Sequence, residues 1–241
     1  MESIVKLERV TKSYALGPTT VQALNGVDLS IGAGEFTAIA GPSGSGKSTL
    51  LNLVIGLDRA TSGRVSVAGL DTGTLSAAEL SRLRLHKIGF VFQSYNLIPV
   101  LTALENTEYV LMLQGRPVAE RRERALRALE AVGLGGLEGR FPRELSGGQQ
   151  QRVAIARAVA AEPTLVLADE PTANLDSKTA ASLLQLMVQL NEEKGVTFVF
   201  STHDTAVMNR ARRIIVLRDG VVAESTQSRN LVPDRRWTSI E

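Results

Sequence analysis

Apolar positions along the chain form short runs that are separated by polar and glycine-containing segments. Residues 4–10 and 21–31 alternate apolar and polar side chains, which is typical of half-buried antiparallel strands. Residues 63–68 have the pattern of an edge strand. Four further segments are nearly uninterrupted apolar runs, as in strands buried on both faces. These core-type segments are residues 36–40, 88–92, 164–168 and 196–201.

Helical patterns lie between these strands. Ser76 with Glu79, and Thr102 with Glu105, have the spacing of helix capping boxes. Asp219-Gly220 separates two apolar segments, 214–217 and 221–224, and predicts a hairpin turn. Because strands alternate with helices, the pattern predicts an α/β fold with a mostly parallel sheet and ligands at the carboxyl ends of its strands. Predicted helices cover residues 50–57, 119–131, 149–161 and 177–195.

Composition narrows the classes of protein to which the chain can belong. It has 241 residues, no cysteine and a formal net charge of +2, so we expect neither disulfides nor thiolate metal sites. The arginines of residues 119–131 pair with glutamates at i,i+4 spacing, and Ala125, Leu126 and Leu129 give that helix an apolar stripe. We therefore expect a mixed-sign surface and no nucleic-acid partner. No segment approaches the roughly 20 apolar residues of a membrane-spanning helix.

A glycine-rich segment after the strand 36–40 matches the pattern G-x-x-x-x-G-K-[ST]. Glycines let consecutive backbone N–H groups point at one anion, and the helix that follows adds its positive N-terminal end. Lys47 is expected to reach the β- and γ-phosphates of a nucleotide, and the Ser48 hydroxyl to bind Mg²⁺. The predicted ATP-binding residues are Gly41, Pro42, Ser43, Gly44, Ser45, Gly46, Lys47, Ser48 and Thr49.

A second motif, residues 165–170, is an aliphatic strand that ends in two carboxylates. Asp169 is placed to hold Mg²⁺ directly or through water, as a Walker B aspartate does. Glu170 points elsewhere because it is one residue further along, and it can polarise the attacking water. The sequence therefore predicts MgATP hydrolysis, with Lys47 and Glu170 among the catalytic residues.

The segment Leu145-Ser146-Gly147-Gly148-Gln149 resembles the signature motif of ATP-binding cassette (ABC) ATPases. Ser146 and the two glycines open a helix, which makes a second anion-binding terminus. The resemblance implies that Ser146, Gly147, Gly148 and Gln149 contact the nucleotide of a second ABC ATPase subunit. Two subunits would then enclose two ATP molecules head to tail.

Four other positions resemble functional residues of this family. Tyr14 resembles the aromatic residue that stacks on adenine, and Gln93 resembles the glutamine that contacts Mg²⁺ and the water. Asp176, in the segment 173–176, resembles the loop that crosses the dimer interface. His203 resembles the histidine that senses the γ-phosphate, which makes Gln93 and His203 catalytic candidates.

The resemblance implies a P-loop NTPase with a RecA-like core, an antiparallel β subdomain and an inserted α-helical signature subdomain. A single ABC ATPase domain is expected over residues 3–228, with the helical subdomain at about 94–161 and a short tail at 229–241. It also implies integral membrane permease subunits as partners. The protein would then lie peripherally on the cytoplasmic face of the inner membrane.

Residues 95–99, 101–106 and 170–176 resemble the lipoprotein-releasing, macrolide-efflux and cell-division members of the family. This implies coupling of MgATP-driven dimerisation and hydrolysis to export, lipoprotein release or mechanical work on a membrane partner. Ala173 stands where those relatives more often have glycine. Amino-acid importer ATPases, a cell-division regulator and a nucleic-acid or ribosome-associated ATPase are alternatives. The transported substrate and the choice between homodimer and heterodimer are left open.

Overall fold

The computed structural model describes residues 3–227. The predicted tail 229–241 and the last residue of the predicted 3–228 domain lie outside the described residues. A short 3₁₀ helix covers Pro142–Glu144. The elements in chain order are β1 Ser3–Leu16, β2 Thr19–Gly32, β3 Phe36–Ala40, α1 Lys47–Ile55, β4 Ser62–Val67, β5 Leu70–Asp71, α2 Ala77–Lys87, β6 Ile88–Val91, α3 Ala103–Leu113, α4 Val118–Ala131, α5 Gly147–Ala160, β7 Leu165–Asp169, α6 Ser177–Lys194, β8 Thr197–Thr202, α7 Thr205–Met208, β9 Arg213–Arg218 and β10 Val221–Gln227.

A six-stranded sheet with the order β10-β9-β3-β8-β7-β6 forms the centre of the fold. Strands β9, β3, β8, β7 and β6 run parallel, and β10 pairs antiparallel at the edge. The mostly parallel sheet predicted from the sequence is confirmed. Asp219 and Gly220 both have positive φ, as a type I′ hairpin turn between β9 and β10 requires.

The central strands are buried on both faces, which explains their uninterrupted apolar sequences. Ile39, Leu167 and Val199 pack in one cluster with α1, α2 and the second sheet, while Ala38, Val166 and Phe200 pack in another with helices α3 to α7. All six side chains are at most 1% exposed. Alternate residues of one strand therefore belong to two different hydrophobic clusters.

The second sheet is antiparallel, with the order β2-β1-β4-β5. Strands β1 and β2 are longer than predicted and continue through several register shifts to Leu16 and Thr19. The prediction that residues 63–68 form an edge strand is wrong. Strand β4 lies between β1 and β5, because the two-residue strand β5 pairs with its far side.

Helices α3, α4 and α5 pack against one another and lie between β6 and β7 in the chain. Both predicted capping boxes are present, at Ser76 and at Thr102. The predicted apolar stripe of α4 needs a correction, since Leu126 is 37% exposed and Ala128 is buried instead. Of the helices that lie within residues 3–227, none combines the length and apolar character needed to span a bilayer.

Candidate functional site

Three adjacent strands bring the predicted site residues to one edge of the central sheet. Strands β3, β8 and β7 are neighbours and run parallel, so their carboxyl ends lie side by side. The glycine-rich loop follows β3, Asp169 ends β7, and His203 follows β8. The site therefore occupies the position where open parallel sheets bind ligands.

The loop between β3 and α1 is shaped by glycines in left-handed conformations. Gly41, Gly44 and Gly46 have φ of 152°, 79° and 101°. A Cβ at Gly41 would lie 2.1 Å from the carbonyl oxygen of Leu217, and one at Gly46 would lie 2.5 Å from that of Ala23. Two of these positions therefore exclude any side chain.

The loop leads directly into α1. This helix begins at Lys47, three residues earlier than the predicted start at Leu50. Within the described chain no side chain caps this helix, and the buried Ser45 Oγ has no hydrogen-bond partner there. Three features together fit a bound phosphate: an uncapped helix N-terminus, an unpartnered hydroxyl, and two loop positions that only glycine can occupy.

Substituting Gly41 with alanine is expected to lower the free energy of unfolding by about 2–4 kcal/mol, because a Cβ must displace the backbone of Leu217. Gly44→Ala is the matched control. A Cβ at Gly44 has no atom of the described residues within 4 Å, so its left-handed backbone alone should cost about 1 kcal/mol. Urea unfolding monitored by circular dichroism measures both; equal losses for the two variants would contradict the close approach at Gly41.

Lys47 is buried within the loop. Its ammonium donates hydrogen bonds to the carbonyl oxygens of Gly41 at 2.7 Å and Pro42 at 2.8 Å. Burial lowers the pKa of Lys47, while the nearby carboxylates of Glu170 and Asp169 act in the opposite direction. A cation held between two carboxylates and a glycine-rich loop is suited to a phosphate anion.

Oxygen atoms from three elements meet at Asp169. Its Oδ1 lies 3.3 Å from the Ser48 hydroxyl and 2.5 Å from the Ser201 hydroxyl, and both hydroxyls donate to it. Hydroxyl and carboxylate oxygens are the hard ligands that Mg²⁺ prefers. The pair Ser48 and Asp169 therefore fits the predicted metal site, although coordination by these residues and by Gln93 stays a prediction.

Glu170 has a left-handed backbone with a φ of 45° immediately before Pro171. Its N–H donates to the Ser201 hydroxyl at 3.1 Å, and its Oε1 lies 2.9 Å from His203 Nδ1. A cleft with a cavity volume of about 350 Å³ lies beside both residues. The structure thus joins the two predicted catalytic side chains directly and leaves them open to water.

Gln93 is exposed, and its carbonyl oxygen accepts a hydrogen bond from Asn174 Nδ2 at 3.1 Å. Asp176 caps α6 by accepting from the N–H groups of Lys178 and Thr179, and the hydrogen bonds from Thr179 hold the pKa of this carboxyl below its usual range. Both residues are therefore anchored through the loop that follows β7. Nucleotide contacts by Gln93 and Asp176 stay predictions.

The segment 146–149 lies at the start of α5. Ser146 forms a capping box with Gln149, which satisfies donors on both residues. Among the described residues, the atoms nearest to a Cβ at Gly147 and Gly148 are Tyr95 Oη and Thr179 Cγ2 rather than atoms of the glycine-rich loop. The structure therefore does not bring this segment onto the phosphate cradle of its own chain.

Tyr14 is anchored to Asp58, a residue that follows α1 in the chain. Its hydroxyl donates to Asp58 at 2.8 Å, and the Lys12 ammonium lies 4.7 Å from the ring centroid. Burial, followed by the hydrogen bond to Asp58, raises the pKa of the Tyr14 hydroxyl. Stacking of Tyr14 on adenine stays a prediction.

Sequence reasoning missed several residues that support the site. Ser201 connects to both Asp169 and Glu170, and Asn174 connects to Gln93. Arg157 donates to the carbonyl oxygens of Tyr95 and Asn96, two consecutive residues in left-handed conformations. The position of Ser201 at the end of an apolar strand beside His203 was the one available signal.

The fold and this site define a P-loop nucleotide-binding ATPase domain. A sequence profile of the family described as "ABC transporter" matches residues 24–173. The chain belongs to the ABC transporter family of ATP-binding proteins, and the resemblance seen in the sequence is confirmed.

Close relatives agree with this family. The chain is 50% identical to the ABC transporter ATP-binding protein MJ0796 of Methanocaldococcus jannaschii, covering 94% of this chain and 98% of that protein. It is 51% identical to the lipoprotein-releasing system protein LolD of Anaeromyxobacter dehalogenans, covering 94% and 95%. It is also 45% identical to the macrolide export ATP-binding/permease protein MacB of Rhodopirellula baltica, covering 96% of this chain and 34% of MacB.

A solved structure extends the similarity to the fold. The dimeric, post-hydrolysis structure of the ATP-binding cassette MJ0796 bound to ADP and Pi superposes with a TM-score of 0.87 at 49% identity, covering 94% of this chain and 99% of that one. The predicted fold class is thereby confirmed.

Proposed function

We propose that this chain is the ATP-hydrolysing subunit of an ABC transporter and works as a head-to-tail dimer beneath membrane permease subunits. The observation that carries the proposal is the convergence of Lys47, Ser48, Asp169, Glu170 and His203 at one sheet edge. The MJ0796 structure with ADP and Pi supports a hydrolysable nucleotide at this edge.

The residues divide the chemistry between them. The loop 41–49 and Lys47 bind and orient the triphosphate, and Tyr14 holds the base. Ser48, Asp169 and Gln93 would hold Mg²⁺, which would offset the phosphate charge. Glu170 orients a water molecule in line with the γ-phosphate and accepts its proton, while His203 holds the carboxylate at 2.9 Å.

The signature segment acts on a second molecule. Ser146, Gly147 and Gly148 lie at a helix N-terminus, and the atoms nearest to Gly147 and Gly148 do not belong to the phosphate cradle of their own chain. Such a terminus binds anions, so the tip of α5 would contact the γ-phosphate held by the partner. The dimeric MJ0796 structures support this arrangement, with Asp176 near the interface.

An apolar surface on the helical side supports a membrane partner. Tyr109, Met112 and Leu113 are between 38% and 55% exposed and share one face of α3 by their i, i+3, i+4 spacing, and Val100 before this helix is 78% exposed. Adjacent exposed apolar side chains can mark an interaction site. Similarity to LolD and MacB supports lipoprotein release, export or force transmission at the cytoplasmic face as the proposed work.

The direct test is ATP hydrolysis by the purified chain with and without a candidate permease in liposomes. We expect the permease to increase the rate of phosphate release, because contact with the segment after Gln93 favours the closed dimer. Liposomes without permease are the control. Stimulation by DNA, RNA or ribosomes, together with no response to any permease, would instead support the nucleic-acid-associated alternative.

A further inference from the structure

Gln151 is a completely buried polar residue that the proposed chemistry does not use. It lies in the first half of α5 at 0% exposure, shortly after the signature segment. Its Nε2 donates to the carbonyl oxygen of Pro171 at 2.7 Å. Its Oε1 has no hydrogen-bond partner within the part of the chain that the structure describes. A buried amide that is only half satisfied is costly, which calls for a reason specific to this position.

The acceptor of the Gln151 hydrogen bond is Pro171, the residue that follows Glu170. Glu170 has a φ of 45°, a conformation that costs a non-glycine residue about 1–2 kcal/mol. A following proline restricts the backbone of Glu170 further. Strained backbone of this kind persists only where its surroundings hold it in place. The strained unit is therefore Glu170 together with Pro171.

Two side chains hold this unit from opposite ends. Ser201 of β8 accepts from the Glu170 N–H at 3.1 Å, and Gln151 of α5 donates to the Pro171 carbonyl at 2.7 Å. Within the same turn, the Ala173 N–H donates to the Glu170 carbonyl at 3.2 Å. Without the bond from Gln151, the Pro171 carbonyl loses its hydrogen bond to α5.

We propose that Gln151 is a positioning residue for Glu170. It fixes the turn that aims the catalytic carboxylate, and it connects that carboxylate to the helix whose tip carries the signature segment. The inference rests on the proposed hydrolytic function. In the dimer, α5 would contact the nucleotide of the partner at its tip and hold Glu170 of its own chain through Gln151, so a single helix links the two sites.

The test replaces Gln151 with methionine, which keeps an unbranched side chain and removes the donor. We expect kcat to fall at least about tenfold, because a small displacement of a catalytic group is sufficient for such a loss, while the Kd for ATP changes less than about twofold. Gln114→Met is the matched control: Gln114 Nε2 donates to the Leu85 carbonyl at 2.9 Å, and its Oε1 also lacks a partner among residues 3–227. It should keep the wild-type kcat, and the melting temperatures of both variants are measured so that any loss of stability can be compared with the change in kcat.

A double variant separates positioning from general structural damage. In the Glu170→Gln background, Gln151→Met should cause no further loss of hydrolysis and should leave ATP-dependent dimer formation intact. Gln151→Asn, which keeps the amide but is one methylene shorter, should reproduce the fall in kcat and provides a second folded variant.

Three results would overturn the proposal: an unchanged kcat in both Gln151 variants, an equal fall in Gln114→Met, or loss of the dimer in the double variant. Wild-type protein is assayed in parallel with its permease. Hydrolysis by the wild type with unaffected Gln151 variants would reject the positioning role alone, whereas no hydrolysis by the wild type would reject the proposed function as well.

Discussion

Replacing Glu170 with glutamine is expected to reduce ATP hydrolysis by about 10²- to 10⁴-fold, the contribution typical of a positioned general base. The amide keeps the size of the carboxylate and can still contact His203 Nδ1, which lies 2.9 Å from Glu170 Oε1. It cannot accept the proton of the attacking water. ATP binding should stay intact because the hydrogen bonds that orient Lys47 go to the carbonyl oxygens of Gly41 and Pro42 and do not involve Glu170.

The same variant should accumulate as an ATP-bound dimer. Since hydrolysis would remove the phosphate that bridges the two chains, a chain that binds ATP without cleaving it should remain closed. Phosphate release under single-turnover conditions measures the chemical step, and size-exclusion chromatography with light scattering measures the dimer. Glu192→Gln, which affects an exposed ion pair with Arg212 on the far end of α6, is the matched control. Substantial hydrolysis by Glu170→Gln would reject Glu170 as the main base.

Much of the fold was readable because burial leaves a direct pattern in the sequence. Strand β3 was predicted with its observed bounds, since all five of its residues are buried and a short apolar run between glycines is typical of a strand covered on both faces. The capping boxes at Ser76 and Thr102 were readable because both partners lie within one helical turn. Local signals of this kind do not depend on the rest of the fold.

Features that depend on distant residues were not readable in this way. The interior position of β4 depends on pairing with β5, and two residues are too few for a strand pattern. Leu126 fits the helical period, yet Ala128 takes the buried position because the direction from which α3 and α5 pack selects the face of α4. The spacing of apolar residues shows that a helix has an apolar stripe, but it does not show which residue of that stripe is most deeply buried.

The candidate site shows the same division. Residues 41–49, 146–149 and 169–170 were found because each motif is contiguous in sequence. The support from Ser201 and Gln151 was missed because each hydrogen bond joins residues that are 20 or more positions apart. Sequence motifs therefore identified the groups that are proposed to perform the chemistry, and the structure was needed to show what holds them.

Replacing Lys47 with alanine is expected to weaken ATP binding by about 10- to 100-fold, because loss of charge-assisted hydrogen bonds to phosphate removes about 1.5–3 kcal/mol. The Lys47 side chain is 7% exposed, and its ammonium is already oriented by the carbonyls of Gly41 and Pro42, so little side-chain entropy is lost when it contacts a phosphate. The Kd for ATP is best measured by isothermal titration calorimetry in the Glu170→Gln background, where hydrolysis does not interfere.

Two controls make this measurement specific to the phosphate contact. Lys87→Ala removes an exposed lysine at the end of α2 and should leave the Kd for ATP unchanged. Lys47→Met keeps most of the buried stem, so a similar loss of affinity in both Lys47 variants assigns the effect to the cation rather than to collapse of the loop. If Lys47→Ala bound ATP as tightly as its parent, the loop 41–49 would have to hold the nucleotide through backbone N–H groups alone, and the phosphate role of Lys47 would be rejected.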